Sequence, residues 1–232
     1  MCRIFRTQSC HPFSGATLIL ELVSINVSLP VDVQYNNNIV STGIFKKPVN
    51  GTVEVTQSGL KGDQQVDLIN HGGEHKAVYG LSTNHYDFWR NKLNAPELAY
   101  GQFGENLTIT ELDEARLCIG DQLQIGNCIL EITQPRVPCF KLGIALDNAT
   151  MPKLFVQNGA TGIYFRVLQA GAISVGDQLN VIYHHPKQLS VQTLFKAYFD
   201  KDFVNSGERM ALAASIDELS NEWREKVLSR LS

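Results

Sequence analysis

"DQLQIGNCILEIT", residues 121–133, decides how the rest of the chain is read. Leu123 and Ile125 alternate with polar residues, Gly126-Asn127 interrupts, and Cys128, Leu130 and Ile132 resume the alternation. A period of two marks a strand with one face buried, and Gly-Asn between two such runs marks a tight hairpin. The segment entering this hairpin, "IGDQLQI" (119–125), returns as "VGDQLNV" (175–181). Both place Gly-Asp at a turn and an alternating strand after it; a single recurrence implies two strands that start alike, not a solenoid. Val53 and Val55 alternate in the same way, as do Leu179, Val181 and Tyr183. Val23, Ile25, Val27 and Leu29 give a further half-buried strand. One helix interrupts the β texture over "NHYDFWRNKL" (84–93), with Asn84 as its expected N-cap.

After His184-His185-Pro186 the texture changes to three short helical patterns. Ser190 and Ser206 are placed to cap the first two, and Ser215-Ile216-Asp217-Glu218 has the form of a capping box that would open the third. These patterns divide the chain into an extension over 1–19 outside the fold, a β domain over 20–185 and a three-helix domain over 186–232.

The 232 residues suit one medium domain with an appendage, and 44% apolar against 19% charged residues allows an ordinary globular core. A net charge of −3 provides no global field for nucleic acid or an anionic membrane, and neither is expected as a partner. Arg3 and Arg6 precede an apolar stretch from Ala16 to Leu29, but Glu21 and Asn26 interrupt it. Neither a secretion signal nor a membrane span is expected there. Five cysteines at low density, with no CxxC, argue against a disulfide framework or a zinc ribbon and for a reducing cytoplasm.

Chemistry concentrates in "QPRVPC" (134–139). Pro135 and Pro138 stiffen the loop, and Arg136 and Lys141 bring positive charge to Cys139. Cations favour thiolate, the form that ligates a metal or attacks an electrophile. A buried structural cysteine is the plainer reading, and it is the one adopted for Cys118 and Cys128. His71-Gly72-Gly73 offers an imidazole beside a backbone free to approach a ligand, or simply a turn with a bonded histidine. Asp63, Asp67, His71 and His75 match no zinc spacing. Asn106 presents both a donor and an acceptor, and Lys46 with Lys47 is either a solvated pair or an anion contact. Together these residues indicate a site for a polar, anionic cofactor.

The motifs "TGIFKKPV", "GDQQVD", "HGGEHKAVY", "HYDFW", "GQFGENLT", "IGDQLQIG", "QPRVPCFKL" and "GIYFRVL", in this order, resemble those of MOSC-domain proteins, which are similar to the C-terminal domain of molybdenum-cofactor sulfurases. The nearest likeness is to the YiiM/YflK-like subgroup, and it runs from about Val23 to the C-terminus. The resemblance implies a mainly β, MOSC-type barrel with a few helices and a small C-terminal three-helix domain. It implies that Cys139 carries sulfur or ligates molybdenum. It also implies that the cofactor is molybdopterin, with Lys46, His71, Gly72, Gly73, Asn106 and Arg136 as candidate contacts. The activity implied is reduction of small N-hydroxylated bases with electrons from a flavoprotein reductase, with His71 as candidate proton donor. The alternative is a non-catalytic carrier of the cofactor or of cysteine-bound sulfur. Pyridoxal phosphate, and the desulfurase domain that uses it, are not expected.

Overall fold

The computed structural model describes residues 20–66 and 72–232. The expected hairpin is present: β9 (Gln122–Ile125) and β10 (Cys128–Pro135) pair antiparallel with Ile125 opposite Cys128. Gly126 turns between them at φ 52°, and a Cβ there would lie 2.5 Å from the Ala172 carbonyl oxygen, so glycine is required. Leu123, Ile125, Cys128, Leu130 and Ile132 all face the core.

The remaining strands are β1 (Leu20–Val27), β2 (Val31–Tyr35), β3 (Asn38–Thr42), β4 (Lys47–Pro48), β5 (Val53–Thr56), β6 (Gly59–Leu60), β7 (Val78–Ser82), β8 (Leu107–Ile109), β11 (Ile163–Gln169), β12 (Gly171–Ile173) and β13 (Gln178–Tyr183). Seven of the thirteen described strands, the hairpin included, close a barrel in the order β13-β9-β10-β11-β7-β8-β1, and β1 returns to β13. Every contact in the ring is antiparallel except β7 with β8. Closure leaves the ring without a free edge and converts the alternating patterns into one inward face. The two Gly-Asp repeats are the same turn built twice. Gly120 and Gly176 take φ 85° and 92°. Asp121 and Asp177 then each accept a bond from the backbone N–H three residues back, at Cys118 and Ser174. The strands that follow, β9 and β13, lie side by side.

Strand β1 differs from its expected phase. Its register shifts between Leu22 and Ser24. Leu20, Leu22 and Ile25 therefore enter the core, Val23 and Val27 are half-buried, and Leu29 is 64% exposed beyond the strand. A bulge adds one residue and reverses the faces, which simple alternation cannot anticipate.

The helices are α1 (Thr83–Leu93), α2 (Phe140–Ala145), α3 (Met151–Asn158), α4 (Val191–Phe199), α5 (Ser206–Ala214) and α6 (Asn221–Leu231). Ser190 caps α4 by accepting from Thr193 N, as its position predicts. The other three caps fall elsewhere. Ser82, not Asn84, caps α1, and Asn205, in the left-handed region, precedes α5. The Ser215 hydroxyl turns back to Leu212 O and closes α5, while Ser220 caps α6. The turn between them buries Ile216 and Leu219, which a helix starting at Ser215 would orient differently. The last three helices follow Pro186, and their Leu194, Phe195 and Trp223 share one apolar core with Leu123, Ile132 and Phe165 of the barrel. A second cluster, with Tyr86, Trp89, Phe103 and Phe155, lies among α1, α2 and α3. Among the described residues no helix is long and apolar enough to cross a membrane.

Candidate functional site

Strand β10 carries the chain to the cysteine. It stays paired through Pro135, opposite Ile163, so the first proline ends a strand rather than opening a loop, and the stiff segment proper is 136–139. Arg136 N donates to Gly162 O at 3.2 Å and Thr161 Oγ1 donates to Arg136 O at 2.7 Å, which pins the segment from both sides. Gly162, at φ 86°, is needed here because a Cβ would lie 2.5 Å from the Tyr79 ring. Cys139 is half-buried in extended backbone just ahead of α2.

The Arg136 side chain turns inward and is 5% exposed. Its guanidinium carbon lies 5.0 Å from the Tyr79 ring centre and 5.6 Å from that of Phe155. Cation–π contact of this kind compensates part of the burial. Burial alone would lower its pKa. The electrostatic pull of Tyr79, Tyr164, Cys139 and Glu105 holds it above the ordinary arginine value. Nη1 is buried without a hydrogen-bond partner.

Opposite stands Lys46. Its ammonium lies 2.5 Å from Asp63 Oδ1, with both side chains at most 10% exposed. Burial pulls the Lys46 pKa down, against the pull of Asp63 and Glu105. Asp63 Oδ1 also accepts from Ser28 N, and Oδ2 accepts from Asn106 Nδ2 at 2.9 Å. The Asn106 amide reaches Asn26 O as well, and its oxygen accepts from Tyr79 N at 3.1 Å. Behind them Glu105 is fully buried. Its Oε1 accepts from Tyr86 Oη, Gly101 N and Thr108 Oγ1, while Oε2 has no partner. Desolvation raises its carboxyl above the usual range.

Lys46, Arg136 and Cys139 thus share one cleft, whose other walls include Gln65, Tyr79, Lys141 and Tyr164. Its volume is about 100 Å³, room for a few water-sized groups, so a larger ligand extends from its mouth. Asn106 stands behind the wall, with both ends of its amide engaged by the protein. Gly73 takes φ 90° and donates its N–H to Gln65 Oε1, and neither it nor Gly72 lines the cleft. His71 and Asp67 lie outside the described residues. Sequence reasoning missed Gln65, Tyr79, Tyr164 and Glu105. The two tyrosines face each other across β7 and β11, 85 residues apart in the chain, and only barrel closure brings them together.

The MOSC domain matches residues 67–180, and the chain belongs to the MOSC domain family. Within it the likeness is to YflK and YiiM. The chain is 36% identical over 210 residues to the uncharacterized protein YflK of Bacillus subtilis, covering 90% of this chain and 93% of YflK. The crystal structure of YiiM from Geobacillus stearothermophilus superposes with a TM-score of 0.77 at 33% identity, over 92% of this chain and all of that one. A Gibberella moniliformis protein named Reductase is 33% identical over 165 residues, which is 68% of this chain but 29% of that protein.

Proposed function

We propose that the cleft binds molybdenum cofactor with Cys139 as a metal ligand, and that the chain reduces N-hydroxylated bases or related compounds. The observation that carries this reading is the buried Arg136 guanidinium with an unpartnered Nη1, in the same cleft as a half-buried sulfur. A buried cationic donor without a partner is costly unless a ligand completes it. Family membership and the Reductase relative support the same direction.

The residues fit the group. A thiolate is a soft donor suited to molybdenum held by a dithiolene. Among the described residues no three His, Cys, Asp or Glu side chains gather to hold a bare ion, so the donor set suits a metal that brings ligands of its own. Arg136 and Lys141 offer charge-assisted bonds to a phosphate, and Lys46 adds a cation already balanced by Asp63. Asn106 acts through Asp63 and the Tyr79 backbone. When bound, the molybdenum centre supplies the two-electron exchange. The net change is R–NHOH plus two electrons and two protons to R–NH₂ and water, with a flavoprotein reductase as electron source. The chain fixes the sulfur, neutralises the anionic end and delivers protons, with His71 as the candidate donor. A reducing cytoplasm suits this chemistry.

The test is metal and pterin analysis of protein made in a cofactor-competent host, followed by turnover of an N-hydroxylated base with reductase supplied. The proposal expects bound molybdenum and turnover, with turnover lost in Cys139→Ser. Full turnover by metal-free protein would end it, and bound cofactor without turnover would identify a carrier instead.

A further inference from the structure

We infer that the first turn of α6 is a positioning element for the cleft: Glu222 and Trp223 hold, through Lys76 and Pro135, the segment that orients Gln65 and the segment that carries Cys139. Three contacts converge on that turn. Trp223, fully buried, donates its indole N–H to Pro135 O at 3.2 Å, at the residue where β10 hands over to the cysteine segment. Ser220 N donates to Thr133 O at 3.2 Å, two residues earlier on the same strand. Glu222 binds the Lys76 ammonium, which is only 8% exposed, and also pairs with Lys226 at 3.2 Å.

Lys76 leads directly to the other wall. Its carbonyl accepts from Gln65 Nε2 at 2.7 Å, and Gln65 Oε1 accepts from Gly73 N at 3.2 Å. The Gln65 amide is therefore oriented by the segment that Glu222 anchors, and Gln65 lines the cleft. Thr133 links the two halves: its hydroxyl lies 2.6 Å from His75 O and 3.0 Å from Tyr164 O. One helix turn thus grips both walls from outside the barrel. Texture alone assigns α6 to a separate domain, yet these contacts make it part of the site's support. The Glu222 carboxylate is matched to the task. Burial works against it, but Lys76 and Lys226 overcome this and hold its carboxyl below the ordinary glutamate range.

The inference rests on Cys139 being the working sulfur, but the test reads the thiol itself and needs no cofactor. Alkylation of Cys139 by iodoacetamide, followed by peptide mapping, is measured across pH in the full chain and in Trp223→Phe, Glu222→Gln, Glu222→Lys and the Lys76→Glu/Glu222→Lys pair. Loss of one positioning hydrogen bond is expected to change the Cys139 rate about fivefold and move the midpoint of its pH profile. The reversed pair is expected to restore what Glu222→Lys loses. Cys118 and Cys128 are internal controls, both buried, with the Cys128 thiol pushed up to about 11 by desolvation. They should stay unmodified. A Cys139 rate and midpoint unchanged in Trp223→Phe and both Glu222 variants would overturn the inference. So would Cys118 and Cys128 reacting in step with Cys139, which would signal general loosening. Loss of molybdenum binding with an intact positioning effect would count against the cofactor proposal alone.

Discussion

The two walls of the cleft contain similar residues and use them in opposite ways. On one wall Lys46, Asp63 and Asn106 close on each other and on neighbouring backbone, so their polar groups are occupied within the protein. On the other, Arg136 has an equally buried charge but leaves Nη1 without a partner, beside a sulfur that solvent can reach. Buried charge with internal partners is architecture, whereas buried charge with an open donor is held ready for something that arrives.

Substitutions can separate the walls. The largest effect is expected for Cys139→Ser, which should lower turnover of an N-hydroxylated base by about a thousandfold, some 4 kcal/mol. Its urea midpoint should barely move, because the sulfur carries little of the core. Lys46→Met should do the reverse, removing one partner of a buried pair and lowering stability by about 3 kcal/mol in urea titrations. Cys139 alkylation in the folded fraction should be unaffected. Arg136→Met should weaken cofactor binding by about 2 kcal/mol, roughly thirtyfold, measured as cofactor retained after dialysis. It should cost the empty protein little stability, since the lost ring contacts are offset by removal of a buried cation with one unpartnered donor. Arg136→Lys should not rescue binding, because an ammonium lacks the planar fork.

The smallest effect concerns pH. The Glu222 carboxyl is held below its ordinary value of 4.5 in the folded chain. Its contribution to stability is complete above that value and is lost as pH falls through the folded one. The side chain is 35% exposed, so solvent screening keeps the contribution below about 1 kcal/mol. Glu222→Gln should remove this acid step from the stability–pH curve, lowering stability by less than about 1 kcal/mol at neutral pH and leaving it unchanged in acid below the folded value.

The contrast between the walls also shows what a sequence can display. The barrel was legible because its strands alternate and its two Gly-Asp turns repeat, and both signals are local. The Arg136–Cys139 wall was legible for the same reason: two prolines, a cation and a thiol lie within six residues. The bulge in β1 was not, since one inserted residue leaves no mark on composition. Nor were α2 and α3, which at 6 and 8 residues carry about two turns of pattern each. The Lys46 wall was only partly legible. Lys46 and Asn106 were found as polar residues in loops, but the role of Asn106 depends on Asp63, 43 residues away, and on closure bringing β1, β7 and β8 together. Glu105 could not be read as buried from a turn motif, and the convergence of Tyr79 with Tyr164 is a property of strand register alone. The placement of α6 on Pro135 and Lys76 follows from Trp223 and Glu222 meeting partners 88 and 146 positions earlier.

The central claim is that Cys139 supplies a sulfur ligand to molybdenum. X-ray absorption at the molybdenum edge, on protein loaded in a cofactor-competent host, tests it most directly. The account predicts one sulfur neighbour fewer in Cys139→Ser than in the unaltered chain, with the dithiolene sulfurs unchanged. An identical sulfur shell in the two proteins would contradict it.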